Sequence, residues 1–213
     1  MNVWEIEVKL LSDLHTSGER RGSVVDIMRR DGKPYLPASH VKGVVRTEAE
    51  RIWFGCKGER PCYITDMKEK RIWCCDDSNN YGCPVCGMFG VPEQEKKEGD
   101  EYTEAKIRFT DFYLTGKESE RPHVRIDRKT GSKRRRALYS ERTVSRGGSF
   151  RGFIIIRDLN DEEEGLLEGA LHSASDYGFG GGRSRGLGLA EIVIDKNVSF
   201  DAVKNALKET LPC

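Results

Sequence analysis

The chain has 213 residues, a formal net charge of +1, and 33% charged against 37% hydrophobic residues. That length suffices for one or at most two domains with a buried core, and no apolar run approaches the roughly 20 residues of a membrane helix. A net charge so close to zero excludes a uniformly basic nucleic-acid binder, so binding of nucleic acid would require basic residues segregated on one surface.

The first elements in chain order are a strand and a small hairpin. Residues 3–11 alternate apolar and polar side chains, which is the pattern of a half-buried strand. Asp31 and Gly32 form a tight-turn signal, which predicts that a hairpin follows this strand.

A helix is predicted to begin at Ser39, which can act as its N-cap. From there an apolar stripe at helical spacing continues to Trp53. Lys42 and Gly43 lie in the first turn, where they are poor for helix stability. They suit contact with a phosphate, because the positive end of the helix dipole and free N–H groups lie there. An ordinary amphipathic helix with solvated charges is the alternative interpretation.

The cysteine pattern indicates a metal site. The N-terminus resembles neither a signal nor a transit peptide, which predicts a cytoplasmic protein with no membrane partner. In that reducing compartment, seven cysteines indicate metal binding more than disulfides. Most fall in residues 55–104, a predicted insertion without sustained periodicity. The spacing of Cys83 and Cys86 lets both thiolates bind one tetrahedral Zn²⁺, with Cys62 and Cys74 the preferred further ligands. A redox-active pair is the alternative.

Basic residues are concentrated between residues 121 and 146, after a strand predicted over 105–114. Alternation on both flanks of residues 129–132 predicts a projecting β-hairpin over 117–147. Such a hairpin suits the backbone of a nucleic acid, and a solvated basic arm is the alternative. The side chains that we assign to RNA binding there are Arg125, Arg128, Lys129, Arg134, Arg135 and Arg136.

The C-terminal part predicts a strand over 150–157, a helix over 161–172, a strand over 187–194 and a short helix over 201–210. The core order is therefore strand, helix, strand, strand, helix, strand, which is that of a split βαβ or ferredoxin-like unit. A glycine-rich segment over 177–189 precedes the last strand. Its glycines permit close approach of the backbone to an anion, and it contains Arg183 and Arg185. A flexible connection is the alternative.

Three motifs, in this order, resemble the RAMP superfamily of CRISPR-associated proteins. They are a helix start over 36–46 (LPASHVKGVVR), a cysteine knuckle over 83–90 (CPVCGMFG) and a hairpin motif over 126–131 (IDRKTG). The likeness is to the backbone subunits of type III effector complexes, with Ala38 in place of the usual glycine and His40 in place of a second serine. It extends over nearly the whole chain, including the glycine-rich segment.

The resemblance implies a single α+β domain over residues 1–213, with a ferredoxin-like or RRM-like split βαβ core, a zinc-stapled insertion and a basic β-hairpin thumb. Such a subunit binds CRISPR guide RNA and stacks on copies of itself and on other effector subunits. Its thumb enters between bases of the guide and the complementary single-stranded RNA. By position, the family's RNA-binding residues correspond to Ser39, Lys42, Arg46, Arg183 and Arg185, and His40, Gly181 and Gly182 complete the predicted set.

Three functions remain open for such a chain. In the first, it also cleaves target RNA, with Asp26 as the nearest match to the family's aspartate and with Mg²⁺ or another divalent ion assisting. In the second, it is a stand-alone metal-independent endoribonuclease that matures CRISPR RNA precursors, with His15 as general acid or base. In the third, it is a non-catalytic scaffold that binds RNA without cutting it.

Overall fold

The computed structural model describes residues 1–57, 64–66, 71–73, 83–90 and 104–210. Its strands and helices follow the chain as β1 (Asn2–Leu10), β2 (Ser17–Arg21), β3 (Val24–Ile27), β4 (Arg29–Arg30), β5 (Lys33–Leu36), α1 (Ala38–Lys57), β6 (Ile64–Asp66), β7 (Arg71–Trp73), α2 (Pro84–Phe89), β8 (Ile107–Phe109), β9 (Phe112–Thr115), β10 (Glu118–Ile126), β11 (Lys133–Val144), β12 (Ser149–Ile156), α3 (Asp161–Tyr177), β13 (Ala190–Asp195) and α4 (Phe200–Thr210). A short 3-10 helix, Arg183–Arg185, lies between α3 and β13 in sequence.

The main sheet has the strand order β13-β1-β12-β9-β5-β4, and β8 also pairs with β12. Each of these pairings is antiparallel. The core strands in chain order are thus β1, β8 with β9, β12 and β13, which is the arrangement of a split βαβ unit. This order confirms the predicted α+β class and is compatible with the predicted ferredoxin-like core. The predicted turn at Asp31 and Gly32 is also present, joining β4 to β5, with a positive φ at both residues.

The strand predicted over 105–114 is interrupted at Thr110. β8 and β9 pair with successive parts of β12, and between them the Thr110 main-chain N donates to Phe153 O at 2.9 Å. The Thr110 hydroxyl accepts from Phe153 N at 2.9 Å. The next residue, Asp111, accepts a hydrogen bond from Ala38 N at 2.8 Å. The interruption therefore connects the second core strand to the start of α1.

Helices α1 and α3 pack on each other over one face of the main sheet. Alternation along β1 directs Trp4, Ile6 and Val8 into this principal core. Val3 belongs to a second, smaller cluster with Val203 of α4. Helix α4 therefore lies on the opposite face of the sheet. Within the described ranges, no helix is long and apolar enough to cross a membrane.

Several boundaries differ from those predicted. Helix α3 continues to Tyr177, five residues beyond the predicted end, and stops at Gly178, whose φ is +78°. The last strand begins at Ala190 because residues 187–189 still belong to the glycine-rich segment. Of the predicted insertion over 55–104, the structure describes only the end of α1, the two-stranded β6–β7 sheet, and a segment around α2.

The predicted hairpin is formed by β10 and β11, which pair antiparallel with a bulge between Val124 and Ile126. β11 also pairs in parallel with β3, and β3 pairs with β2, which completes a second sheet of four strands. At the end of the hairpin nearest the core, Leu14 and Val144 exchange main-chain hydrogen bonds at 2.9 and 2.8 Å. The base of the hairpin is thus fixed to the loop that follows β1.

Candidate nucleic-acid interface

The glycine-rich loop, residues 178–188, has a fixed main-chain conformation. Positive φ values occur at Gly178, Gly180, Gly182, Gly186 and Gly188. A Cβ on Gly188 would lie 1.9 Å from Phe179 O, and one on Gly180 would lie 2.4 Å from His15 O. Side chains at these two positions are therefore excluded by both space and conformation.

Hydrogen bonds attach this loop to the segment after β1. Gly181 N donates to His15 O, and Gly188 N donates to Asp13 O, both at 2.8 Å. Within the loop, Phe179 N donates to Gly188 O at 2.8 Å, and the Phe179 side chain is fully buried. This geometry favours a rigid loop over the flexible connection that the sequence left open.

His15, the alternative acid–base residue, is 4% exposed. Its Nδ1 donates to Arg142 O at 2.7 Å, and its Nε2 lies 3.4 Å from the Ser17 hydroxyl. Because its main-chain oxygen also accepts from Gly181, His15 joins the glycine-rich loop to β11. These contacts favour a structural role for the imidazole.

His40, which the sequence assigned to RNA binding, holds the glycine-rich loop against α1. Its Nε2 accepts a hydrogen bond from Gly180 N at 3.0 Å. Burial, and then the positive charge of Arg183, lower the pKa of His40 below its ordinary value of 6.5. The ring is therefore neutral at pH 7 and can act as an acceptor. Sequence reasoning missed this contact, since the two partners are far apart in the chain.

The junction of α1 and the glycine-rich loop forms a cleft of about 290 Å³. Residues that line it include Ser39, His40, Gly43, Thr47, Arg51 and Arg183. An added Cβ on Gly43 would meet nothing within 4 Å, so the surface above the first turn of α1 is open. The predicted residues Ser39, His40 and Arg183 are thus brought together.

Lys42 and Arg46, both on α1, differ in their contacts with the rest of the protein. Lys42 is half-buried, and burial followed by the neighbouring charge of Arg46 lowers the pKa of its ammonium group. A phosphate oxygen would offset that loss of solvation. Arg46 instead pairs with Glu50 at 2.9 Å and donates to Gly90 O at 2.9 Å. Its guanidinium connects α1 to the end of α2.

Arg185 connects the glycine-rich loop to the hairpin. Its Nη2 lies 3.7 Å from Glu141 Oε1, and the Glu141 side chain is buried. The other Glu141 oxygen lies 3.1 Å from His123 Nε2 on β10. Arg183 and Arg185, which the sequence treated alike, therefore face different surroundings: Arg183 lines the cleft, and Arg185 lies beside the base of the hairpin.

The hairpin tip exposes Arg128 and Lys129, two of the residues that the sequence assigned to RNA binding. The side chains of Arg125, Arg134, Arg135 and Arg136 lie outside the described part, although their main chain belongs to β10 and β11. Exposed aliphatic side chains also occur on the hairpin, and the sequence pattern did not indicate them. They are Val124 at 50%, Ile126 at 59% and Leu138 at 55% exposure.

Asp26 lies in a network of ion pairs. Its Oδ1 accepts from Ile27 N at 2.8 Å and from Arg29 Nη2 at 3.3 Å, and Arg142 Nη1 lies 3.5 Å from its Oδ2. Burial would raise the pKa of Asp26, but the hydrogen bond from Ile27 and the charges of Arg29 and Arg142 keep it below its ordinary value. Arg29 also pairs with Glu118 at 2.5 Å. A carboxylate already facing two guanidinium groups is a poor ligand for Mg²⁺, so these residues do not fit that ion.

The cysteine knuckle is only partly within the described residues. Cys83 is the N-cap of α2, and the buried Cys86 lies three residues later in its first turn. The helix N-terminus favours thiolates, which is compatible with a zinc ligand pair. Cys62 and Cys74 lie outside the described residues, and the described residues contain no group of three or more potential metal-binding side chains. Zinc binding therefore stays a prediction.

A ferredoxin-like core whose glycine-rich loop packs against the start of α1 agrees with the expected RAMP architecture. The model of the RAMP superfamily matches residues 7–191, and the chain belongs to this superfamily. Among solved structures, the fold is similar to a chain of a "Type IV-B CRISPR Complex", with a TM-score of 0.62, 12% sequence identity and 92% of each chain covered. No curated protein matches the chain.

Proposed function

We propose that the protein binds the backbone of a CRISPR guide RNA as a repeating subunit of an effector complex. The observation that carries this proposal is the hydrogen bond from Gly180 N to His40. It brings Arg183 of the glycine-rich loop and Ser39 of α1 to one cleft. Membership of the RAMP superfamily and the fold of the similar chain support a subunit role, and the sequence motifs favour a type III complex.

Charge around the cleft is suited to a phosphodiester backbone. Arg183 lines the cleft and is exposed on the loop. Glu48, the acidic side chain among the lining residues, is buried and paired with Arg51 at 2.6 Å. Positive charge at Arg183 therefore faces the open side, which suits a single-stranded RNA backbone.

The hairpin has a different part in this proposal. Exposed aliphatic residues beside basic ones suit contact with bases and backbone together. The thumb role implied by the family resemblance is therefore assigned to β10–β11, entering between bases of the guide and its complementary RNA.

Of the remaining alternatives, the geometry favours a subunit that binds RNA without cutting it. Both oxygens of Asp26 face basic partners, and His15 is buried with its Nδ1 engaged. Purified effector complex incubated with complementary RNA and Mg²⁺ provides the test. Cleavage that is lost in Asp26→Ala would contradict the non-catalytic assignment.

Zinc is proposed as a structural ion bound by Cys83 and Cys86, with Cys62 and Cys74 as the further ligands. The pair lies at the start of α2, whose end is held to α1 by Arg46. Elemental analysis of freshly purified protein checks this. About one equivalent, reduced in Cys83→Ser, is expected, and a content below about half an equivalent contradicts the assignment.

Fluorescence anisotropy with a labelled single-stranded RNA tests the binding site. Arg183→Glu is expected to weaken binding at least about tenfold at fixed salt, because it replaces a phosphate contact with repulsion. Lys208→Glu, on α4 across the sheet from the cleft, is the matched charge reversal and should bind as the wild type does. Equal affinity of the Arg183 variant and wild type would refute the proposed site. Sequencing of RNA that co-purifies from the host identifies the guide.

A further inference from the structure

The cleft continues beyond the proposed phosphate contacts. From Ser39 it extends about three helical turns along α1 to Arg51, near the last residue of α3, Tyr177. The family resemblance assigned no role to this end, and neither Arg51 nor Tyr177 is among the predicted site residues. Its chemistry differs from that of the Arg183 end.

Arg51 is held by contacts on two sides. Its guanidinium carbon lies 4.5 Å from the centre of the Tyr177 ring, which is a cation–π contact. Its Nη1 donates to Glu48 Oε1 at 2.6 Å, and Glu48 Oε2 accepts from the Ser173 hydroxyl at 2.9 Å. Because Glu48 is 2% exposed, this anchor is rigid. The Arg51 side chain nevertheless remains 54% exposed, so part of its planar group is available to a ligand.

The charge at this end of the cleft is already balanced. Glu48 neutralises Arg51 at close range, so a second anion would gain less there than beside Arg183. An uncharged, flat group suits the site better. Unstacked bases of single-stranded RNA are such groups, and they stack on arginine planes as well as on aromatic rings. The volume of about 290 Å³ is at the lower end for ligand sites, which suits a nucleotide and not a longer stretch of RNA.

We propose that the Arg51 end of the cleft receives one unstacked base of the bound RNA, which stacks on the guanidinium of Arg51. Tyr177 and Glu48 are positioning residues that hold this guanidinium in place. The inference rests on the proposed function, since the RNA backbone must pass Ser39 and Arg183 to place a base there. It adds a contact with a base to a site that otherwise binds only phosphate.

Two RNAs and five variants test this. The RNAs are a labelled single strand of about 12 nucleotides, within the site sizes of such binders, and a strand of equal length built of abasic ribose phosphates. Arg51→Lys keeps the charge beside Glu48 but removes the planar group. Arg51→Gln removes the charge. Tyr177→Leu removes the ring under Arg51, and Tyr177→Phe retains it. Arg183→Glu reports on the phosphate contact, and thermal unfolding verifies that each variant is folded.

Arg51→Lys and Tyr177→Leu are expected to bind the base-bearing strand about tenfold more weakly, with the abasic strand unaffected, because only a base can stack. Tyr177→Phe should behave as the wild type. The slope of log affinity against log salt should not change in Arg51→Lys, whereas Arg183→Glu should reduce it by about 0.7 or more.

The outcomes separate the two proposals. If the wild type binds neither strand, the proposed function itself fails. If Arg183→Glu weakens binding to both strands while Arg51→Lys and Tyr177→Leu stay within about twofold of the wild type, against the tenfold expected from stacking, the base site is wrong and the phosphate site stands. If Arg51→Lys keeps its affinity while Arg51→Gln loses affinity equally for both strands, Arg51 is a charge contact with phosphate. That result would overturn stacking.

Discussion

The glycine-rich loop and the β10–β11 hairpin are both basic in sequence, but they are held in the fold by different means. The loop is attached through main-chain hydrogen bonds to Asp13 and His15 and through a side-chain acceptor on His40. The hairpin is fixed at its base by β3 and Leu14, while its outer half exposes aliphatic side chains.

This difference indicates a division of roles between the two regions. A loop whose main chain is fixed before binding presents its cations without a further loss of main-chain conformational entropy, which favours affinity for phosphate. Exposed Val124, Ile126 and Leu138 gain free energy only when a partner covers them. The exposed side chains of the hairpin would therefore gain stability from a partner that covers them, whereas the loop is already held by contacts within the chain.

The largest contrast is expected from one alanine in each region. Gly188→Ala places a Cβ against Phe179 O and should lower the free energy of unfolding by about 2 kcal/mol or more. Gly131→Ala, at the hairpin tip, meets nothing within 4 Å, so only the positive φ opposes it, at about 1–2 kcal/mol. Urea unfolding of both variants measures the difference.

RNA binding should follow the same order. Gly188→Ala is expected to reduce affinity together with stability, because the loop carries Arg183, whereas Gly131→Ala leaves the cleft intact. Equal destabilisation by the two alanines would show that the loop is no more rigid than the hairpin tip.

A second contrast uses glycines in helices. Gly43→Leu projects a side chain into the open cleft and should weaken RNA binding about tenfold, while improved helix propensity raises stability by about 0.5–1 kcal/mol. Gly165→Leu is the matched control, since Gly165 lies exposed in α3 with nothing within 4 Å of an added Cβ. The Gly165→Leu variant should gain the same stability as Gly43→Leu but keep the RNA affinity of the wild type. Thermal unfolding and anisotropy measure these two quantities. If Gly43→Leu binds RNA as tightly as Gly165→Leu does, the cleft is excluded as the RNA site.

Much of the core could be predicted because its signals are local. The alternation in β1 and the apolar stripe of α1 specify elements whose order defines the ferredoxin-like sheet. The break at Thr110 could not be predicted, since it depends on a hydrogen bond to Phe153 on another strand. The parallel pairing of β3 with β11 joins segments more than 100 residues apart and has no local signal.

The site was predicted by residue type but not by role. Basic residues near glycines indicated phosphate contact, and Ser39, His40 and Arg183 do line one cleft. Yet Arg46 is engaged with Glu50 and Gly90, and His40 accepts from a main-chain N–H. These assignments depend on which partner the fold brings within about 3 Å, which composition and spacing do not determine.

The hairpin should respond to a change that leaves the isolated protein intact. Leu138→Ser removes an exposed aliphatic side chain, so its effect on the unfolding free energy should stay within about 0.5 kcal/mol. Binding of a guide–target duplex is expected to weaken about fivefold through lost apolar burial. Single-strand affinity should be unchanged. A comparable loss of affinity for the single strand, measured in the same anisotropy assay, would place the hairpin in the guide-binding site. It would contradict the proposed division of roles.

The smallest expected effect concerns the contact that joins the loop to α1. Because folding lowers the pKa of His40 below 6.5, the unfolded chain takes up this proton first. The contribution of neutral His40 to stability is therefore complete above about pH 6.5 and is lost as the pH falls toward its folded-state pKa.

His40→Gln can accept from Gly180 without titrating, so its stability should fall less than that of the wild type between pH 7 and 5. His40→Leu lacks the acceptor and should lose about 1 kcal/mol at pH 7. Urea unfolding across this pH range checks both variants, and identical pH dependence of wild type and His40→Gln would mean that the imidazole does not control the loop.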